Sequence, residues 1–480
     1  MTAASGKSEK GFTKIEKSWI AYDWANSVYA TIMMAAVFSA FFTNLVTDPR
    51  GGDFWWSIGT TISMAIVAVM APIVGAIADF RGFKKKLFTV FFVIGLVFTG
   101  LCAVMNDWRM LLAGYICAQI GFNGSCLVYD SFLPDVTTAE RMDKVSGWGY
   151  AMGYIGGSTI PFLISIALIQ FGSGFGLDTT GAVKISIWLT VIWWGLFAIP
   201  FFMNVKQVNY VEKPEAHIFR HTFENIGRTG KAIIQNKGLL MFVVAYFFYI
   251  DGVGTIIHLA TSYGTQLGLG MLGMILALLV TQIVAFPFSI MFSRFSKRFG
   301  SLNMLFIAVM VYVCICVVGF FMGYNIEVAE IPSKLDALAA AGAGISRTTN
   351  LNVINEALLN AGLADEAWNA TAGYVQAIKV SSVLFWVLAT LVGTVQGGIQ
   401  ALSRSYYGKL VPPEKSGEYF GFFEIFGKFA AIVGPLLYAL TKGITGRSSF
   451  SILSIVLLFG VALVILGFGR GRISQLERVG

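Results

Sequence analysis

Runs of about twenty apolar residues, broken by short polar punctuation, recur along the whole 480-residue chain. A helix needs ~20 such residues to cross the hydrocarbon core of a bilayer. The pattern predicts spans at 19–45, 54–78, 87–105, 109–133, 145–171, 183–203, 239–262, 269–293, 301–323, 376–400, 419–440 and 449–469. Six precede the polar stretch 204–238 and six follow it. The expected fold class is an all-α membrane protein: an N-terminal segment 1–18, a six-helix half 19–203, a linker 204–238, a second six-helix half 239–469 and a tail 470–480. One long loop, 324–374, interrupts the second half. Its segments "SKLDALAAAGAG" and "NVINEALLNAGLADEAW" have the apolar spacing of two short amphipathic helices.

Composition agrees with this reading. The chain is 56% hydrophobic and only 12% charged, which excludes a soluble enzyme of this length. The net charge of +8 does not gather on one face or tail, so nucleic acid is not the expected partner. Most of the 34 Lys and Arg instead fall in loops on the side that carries both termini. By the positive-inside rule both termini are then cytoplasmic, and a bacterial inner membrane is the expected location. Attraction to anionic headgroups is a secondary effect of the same bias. All five cysteines lie in predicted spans, so no disulfide framework is indicated. The first 17 residues are polar and lead directly into a full-length span, so the first helix is expected to remain as an anchor rather than to be cleaved.

The six-plus-six pattern predicts a repeat, and one is visible at a constant offset. Glu140, Arg141, Gly147, Gly153 and Pro161 correspond to Glu414, Lys415, Gly421, Gly427 and Pro435, just before and within the fifth span of each half. Parallel repeats with a central site at their interface are one way in which transporters are built.

The loop after the second span reads "GAIADFRGFKKKL". It resembles the major facilitator signature G-x-x-x-D-R-x-G-R-[RK]: Gly75, Asp79, Gly82 and Lys84 match, while Phe80 and Phe83 replace basic residues beside Arg81 and Lys85. Glycine permits a tight turn, and an acid in this position can face a helix N-terminus. The corresponding "SRFSKRFGSL" keeps Arg298 and Gly300 but has Ser293 and Lys297 in place of the glycine and the acid. The stretches Tyr129 to Gly157 and Gly397 to Leu437, with "YDWANS" in the first span, are similar to signature segments of the unknown major facilitators. That family includes a yeast vacuolar amino-acid effluxer associated with autophagy. The resemblance covers both halves. It implies a twelve-helix major facilitator fold, a latch at 75–85 that holds the two halves together in one conformation, and first and seventh helices that line a central cavity.

A carboxylate at the centre of a spanning helix costs ~2.5–3.5 kcal/mol on insertion scales, so the charges inside the spans need explanations. Asp251 lies ~18 Å from the start of its span at 1.5 Å per residue, close to mid-bilayer, whereas Asp23 lies only ~6 Å from Trp19. Asp251, Thr255, His258 and Ser262 recur at helical spacing and form one polar face. Asp251 is a candidate for substrate contact or proton coupling, or else bonds backbone at a helix break beside Gly252 and Gly254. His258 is either a packing residue or a proton carrier. Around Asp23, the aromatic residues Tyr22 and Tyr29, with Asn26, either contact an amphipathic solute or pack within the bundle. Nearer the cytoplasmic end, Asp23, Asp130, Arg404, Glu424 and Lys428 fall at one level. Glu424 and Lys428 can pair along one helix; alternatively Lys428 or Arg404 reaches Asp23 or Asp130 and forms an inner gate.

The expected function is secondary transport of a small polar or amphipathic solute, for instance an amino acid, by alternating access with proton coupling, carried out by a monomer. The alternative is a transporter-like sensor or scaffold that binds a partner through the 324–374 loop. No phosphate-binding loop is present, and of the three histidines two, His217 and His221, sit in the linker without neighbours that complete a metal site. Neither a cofactor nor a metal is expected, and an enzyme is not.

Overall fold

In a computed structural model the described residues are 11–212, 218–266, 271–327 and 364–477. Among them twelve helices are long and apolar enough to cross a membrane. They are α1 (Lys14–Leu45), α2 (Gly52–Ala78), α3 (Phe83–Val104), α4 (Trp108–Ser131), α5 (Met142–Phe175) and α6 (Thr179–Asn204). A linker helix, α7 (Ile218–Gln235), precedes α8 (Lys237–Gln266), α9 (Met271–Phe299), α10 (Ser301–Glu327), α11 (Ala364–Leu410), α12 (Ser416–Thr445) and α13 (Ser448–Gln475).

The chain forms two compact units. The first comprises 1–232 together with 401–425, and the second comprises 233–400 with 426–479. The end of α11 and the start of α12 thus pack with the N-terminal helices.

Local chemistry sets several helix boundaries that hydropathy alone misplaces. α1 begins before residue 19 because Thr13 and Glu16 form a capping box: the Thr13 hydroxyl accepts from the Glu16 N–H at 3.1 Å and Glu16 accepts from the Thr13 N–H at 2.8 Å. α11 runs past the expected end at 400 because the polar residues of 401–410 find partners on α4 and α5. At its other end the helix starts at Ala364, so residues 364–374 of the expected loop are helical. The remainder, 328–363, including most of the two expected amphipathic segments, lies outside the described residues.

α1 and α5 approach closely, and each contains one wide turn of π-helix, Ala30–Ala36 and Gly153–Thr159. The approach depends on a glycine row along α5. A Cβ at Gly153 would stand 2.6 Å from the Ser27 hydroxyl, and one at Gly157 2.5 Å from the Trp24 carbonyl oxygen. Behind α1 the core is aromatic: Trp19, Tyr22, Tyr29 and Trp194 are fully buried, with the Tyr22 and Phe88 ring centres 4.9 Å apart and the Tyr29 and Phe122 rings stacked at 4.5 Å.

The linker is not simply a polar tether. Residues 205–212 run back along the bundle, where the Val211 N–H donates to the Asp79 carbonyl and the Arg81 N–H to the Val211 carbonyl, at 2.8 and 3.1 Å. α7 follows, with Thr222, Thr229 and Ile233 buried and Phe223 and Ile234 exposed.

Candidate functional site

At the end of the first unit where α1 begins, the side chain of Arg404 is enclosed by three helices. Its guanidinium donates to Asp23 on α1 at 2.9 Å, to Asp130 on α4 at 2.9 Å, and to the hydroxyl and carbonyl of Ser146 on α5 at 3.0 and 3.3 Å. Three aromatic rings cover its faces: the guanidinium carbon lies 4.6 Å from the Trp19 ring centre, 4.4 Å from Tyr150 and 5.6 Å from Tyr129. One cation therefore faces two carboxylates in a nearly dry setting, where each charge-assisted hydrogen bond is stronger than at a surface. Gly149 makes the approach possible, since a Cβ there would strike the Asp23 carboxylate and lie 3.1 Å from the Arg404 guanidinium. Of the two cations raised by the sequence, it is Arg404 that reaches Asp23 and Asp130.

Asp130 and Arg404 are separated by 274 residues. That is also the offset between Glu140 and Glu414, so equivalent positions of the two repeats meet here with opposite charge. The same reversal recurs one turn further on, where Asp135 corresponds to Lys409. Lys409 pairs with Asp143 at 2.8 Å, and Asp143 also accepts from the Ser405 hydroxyl at 2.6 Å. Asp135 pairs with the fully buried Lys84 at 2.9 Å. Of the residues that sequence reasoning missed, Asp135 and Lys409 could have been found by carrying the repeat a few residues further upstream, whereas Asp143 and Ser146 have Gly417 and Phe420 as their repeat equivalents and carry no such signal.

Beside this cluster the signature loop meets α12. The Asp79 carboxylate accepts the N–H groups of Gly417 and Glu418 at 2.7 and 2.8 Å, the first turn of α12, whose exposed donors and dipole favour an acid. Lys84 donates to Ser416 at 2.9 Å. A Cβ on Gly75 would collide with the Gly417 carbonyl, so the two backbones touch directly. Gly82 sits at φ 78°, the left-handed conformation from which α3 starts. Burial pushes the Asp79 carboxyl up to about 7, against the opposing pull of Lys84 and the two backbone donors.

Other residues on the expected polar faces are placed differently. Tyr22 and Tyr29 are enclosed in the aromatic core; the Tyr22 hydroxyl donates to Ser125 at 2.9 Å and accepts from the Trp194 indole at 3.3 Å. They pack rather than line an opening in this arrangement, because helical spacing alone cannot separate a core face from a cavity face. Asn26 is buried one turn from Asp23. Glu424 and Lys428 lie one turn apart on α12.

In the second unit both carboxylate oxygens of Asp251 accept the Gly434 N–H, at 3.0 and 2.9 Å, and Thr255 contacts the same carboxylate at 3.5 Å. Gly434 precedes Pro435, which lies inside α12. Asp251 and Thr255 are buried here, while His258, on the same face of α8 one turn on, is exposed. Among the described residues Asp251 has no ion pair, and no cluster of His, Cys, Asp and Glu could hold a metal ion. His221 is exposed and lies 3.8 Å from Glu224; His217 lies outside the described residues.

The arrangement is similar to known proteins over its whole length. A family model described as "Vacuole effluxer Atg22 like" matches residues 57–334 and 379–471. The MFS-type transporter YxiO of Bacillus subtilis is 40% identical over 467 residues, covering 96% of this chain and 95% of that protein. Autophagy-related protein 22 of Cryptococcus neoformans is 23% identical over 347 residues, covering 70% of this chain and 52% of that one. In fold, the chain is similar to the E. coli fucose:proton symporter FucP, with a TM-score of 0.59 at 12% identity over 95% of this chain and 97% of that one. The relatives are transporters rather than enzymes, and the helices that match them span a membrane. The chain belongs to the Atg22-like family of major facilitator transporters, with the all-helical, multi-pass membrane fold of that superfamily.

Proposed function

We propose that the protein is a secondary active transporter that moves a small polar or amphipathic solute by alternating access, with 19–203 and 239–469 as the two moving halves and 204–238 as their tether. The observation that carries this reading is Arg404, contributed by the second repeat and enclosed between Asp23 and Asp130 of the first. An ion cluster of this kind is bistable: buried and fully bonded it is held in place, and once separated each charge is hydrated. It acts as a gate, and the Asp79 contact with the first turn of α12 acts as the latch beside it. With both termini in the cytoplasm, as the distribution of Lys and Arg implies, the gate lies at the cytoplasmic mouth and is closed here.

Asp251 serves as the proton-coupling residue. It is buried with hydrogen-bond donors and, among the described residues, without a cation, so loss or gain of a proton alters its hold on the Gly434 N–H and hence on α12 at the Gly434–Pro435 step. Thr255 supports its carboxylate, and His258 and Asn26 are polar groups available to solute once the cavity opens.

The test is uptake into proteoliposomes containing the purified protein, screened over amino acids, small peptides and sugars with and without an imposed pH gradient. Saturable flux of one class, accelerated by the gradient, is the expected result. Flux that is indifferent to the gradient would remove proton coupling, and absence of flux for every class would remove the transport reading for these solutes.

A further inference from the structure

The turn from α2 to α3 holds the Asp79 carboxylate on two adjacent N–H groups of α12, yet it contains Gly82 at φ 78°, the residue type with the most backbone freedom. The last carbonyls of a helix also lack internal donors. At the end of α2 the Gly75 and Ile77 carbonyls accept from the Asp79 and Phe80 N–H groups at 3.3 and 3.2 Å, while those of Ala78 and Asp79 accept from the segment that follows α6. Gln207 closes both ends of the turn with one amide: its Nε2 donates to the Ala78 and Asp79 carbonyls at 3.1 and 3.3 Å, and its Oε1 accepts the Gly82 N–H at 2.8 Å. The Val211 N–H adds a second bond to the Asp79 carbonyl at 2.8 Å.

The same segment also reaches Asp135. The Oδ1 atom of that carboxylate accepts the main-chain N–H groups of Val208 and Asn209 at 3.0 and 2.6 Å and the Asn209 side-chain amide at 3.0 Å. Its Oδ2 atom accepts from Lys84 at 2.9 Å, and Lys84 donates in turn to Ser416 at 2.9 Å. The side chains of Lys84 and Asp135 have no exposed surface, so a charge left there without partners is costly. Residues 205–212 are thus joined to the first turn of α12 by two routes. One runs through Asp79, whose main chain holds the linker and whose side chain holds α12; the other runs through Asp135 and Lys84. A segment that served only to connect would need neither route. The surface contact of the linker, Glu212 with Arg81 at 3.4 Å, is exposed on both sides and contributes little.

We propose that the linker segment 205–212 is a working part of the latch, with Gln207 and Asn209 as positioning residues. Gln207 fixes the turn from which Asp79 reaches α12, and Asn209 fixes Asp135, against which Lys84 is held as it reaches Ser416. The inference rests on the reading of the Asp79 contact as a latch. Docking of the linker and docking of the first turn of α12 then stabilise each other, and linkage makes the coupling reciprocal: loosening either loosens the other.

Hydrogen–deuterium exchange of the full-length protein in lipid nanodiscs, read on peptides covering 205–212 and 416–421, tests this. Gln207→Ala is expected to speed exchange in 416–421 about tenfold, the scale of one to two hydrogen bonds. Asn209→Ala should do so less, since both main-chain bonds to Asp135 remain, and Glu212→Gln not at all. In the reverse direction Asp79→Asn, which leaves in place the main-chain carbonyl that the linker binds, is expected to speed exchange in 205–212; it also covers the case in which the Gln207 variant does not fold. Gln207→Ala without effect on 416–421, Asp79→Asn without effect on 205–212, or acceleration spread evenly over every helix would overturn the inference and leave the latch itself standing. Unchanged exchange of 416–421 in Asp79→Asn would remove the latch reading, and the inference with it.

Discussion

Asp23 and Arg404 stand 381 residues apart in the chain and 2.9 Å apart in the structure, both buried, with the glycine at 149 clearing the space between them. Removing the arginine leaves two carboxylates facing each other without a cation, whereas removing Asp23 leaves Arg404 still bound to Asp130. Stranding a buried charge costs ~3–5 kcal/mol. Arg404→Ala is therefore expected to open the gate more than Asp23→Ala does, with both exceeding the parent. The readout is the alkylation rate of a cysteine at the buried position Ser403, in a background lacking the native cysteines. Equal, parent-like rates would remove the gate.

Asp79 makes the latch sensitive to pH. Its carboxyl is held up to about 7 from the ordinary value of 3.8, chiefly by burial, with Lys84 and Glu418 as the charged groups facing it. A raised pKa in the docked state means that its contribution to docking is fully present below about pH 4 and is lost as pH rises through about 7. Spectroscopic probes on the exposed positions Arg81 and Glu414 should report a distance distribution that broadens from about pH 5 to about pH 9. Asp79→Asn should flatten that response; a response that persists in the variant would place the titrating group elsewhere.

Gly149→Ala puts a methyl group against the Asp23 carboxylate, and Gly421→Ala puts one 2.6 Å from the Ala71 carbonyl oxygen. Each should lower the melting temperature of the purified protein by an amount corresponding to ~1–3 kcal/mol, the usual cost of overpacking. Gly467→Ala, with no neighbouring atom within 4 Å of the new methyl, should be silent or slightly stabilising. Similar losses at all three positions would mean that helix flexibility, rather than close approach, is what these glycines supply.

Asp251→Asn keeps an oxygen that can accept the Gly434 N–H and removes the titration. The expected outcome is a folded protein, with normal melting, in which flux no longer responds to a pH gradient. Retained pH-driven flux would leave Asp251 as a purely structural bond.

How legible this was from sequence depended on whether a partner has a side-chain signature. Charges such as Asp23, Asp130 and Arg404 are conspicuous in apolar spans, and their common depth grouped them correctly in space. The choice between Arg404 and Lys428 was not readable, because it depends on a contact between distant turns. The bond from Gly434 to Asp251 was hidden for a different reason: a backbone N–H can be offered by any residue but proline. Tyr22 and Tyr29 have the same spacing whether they face a cavity or the aromatic core, and only the neighbouring rings of Phe88, Phe122 and Trp194 decide it. The start of α1 was not legible in the apolar run, because the capping box of Thr13 and Glu16 that sets it is made of polar groups ahead of that run.

The opposite charges at positions 130 and 404, 274 residues apart, bear on how such a chain arose. Two unmodified copies of one ancestral half would bring aspartate against aspartate, or arginine against arginine, at this point, and bury a like-charge contact. The clasp requires the copies to have diverged, so it postdates the duplication that made them. Once each copy carried its own sign, neither could close this end with a twin of itself, and the two became obligate, non-interchangeable partners in one polypeptide.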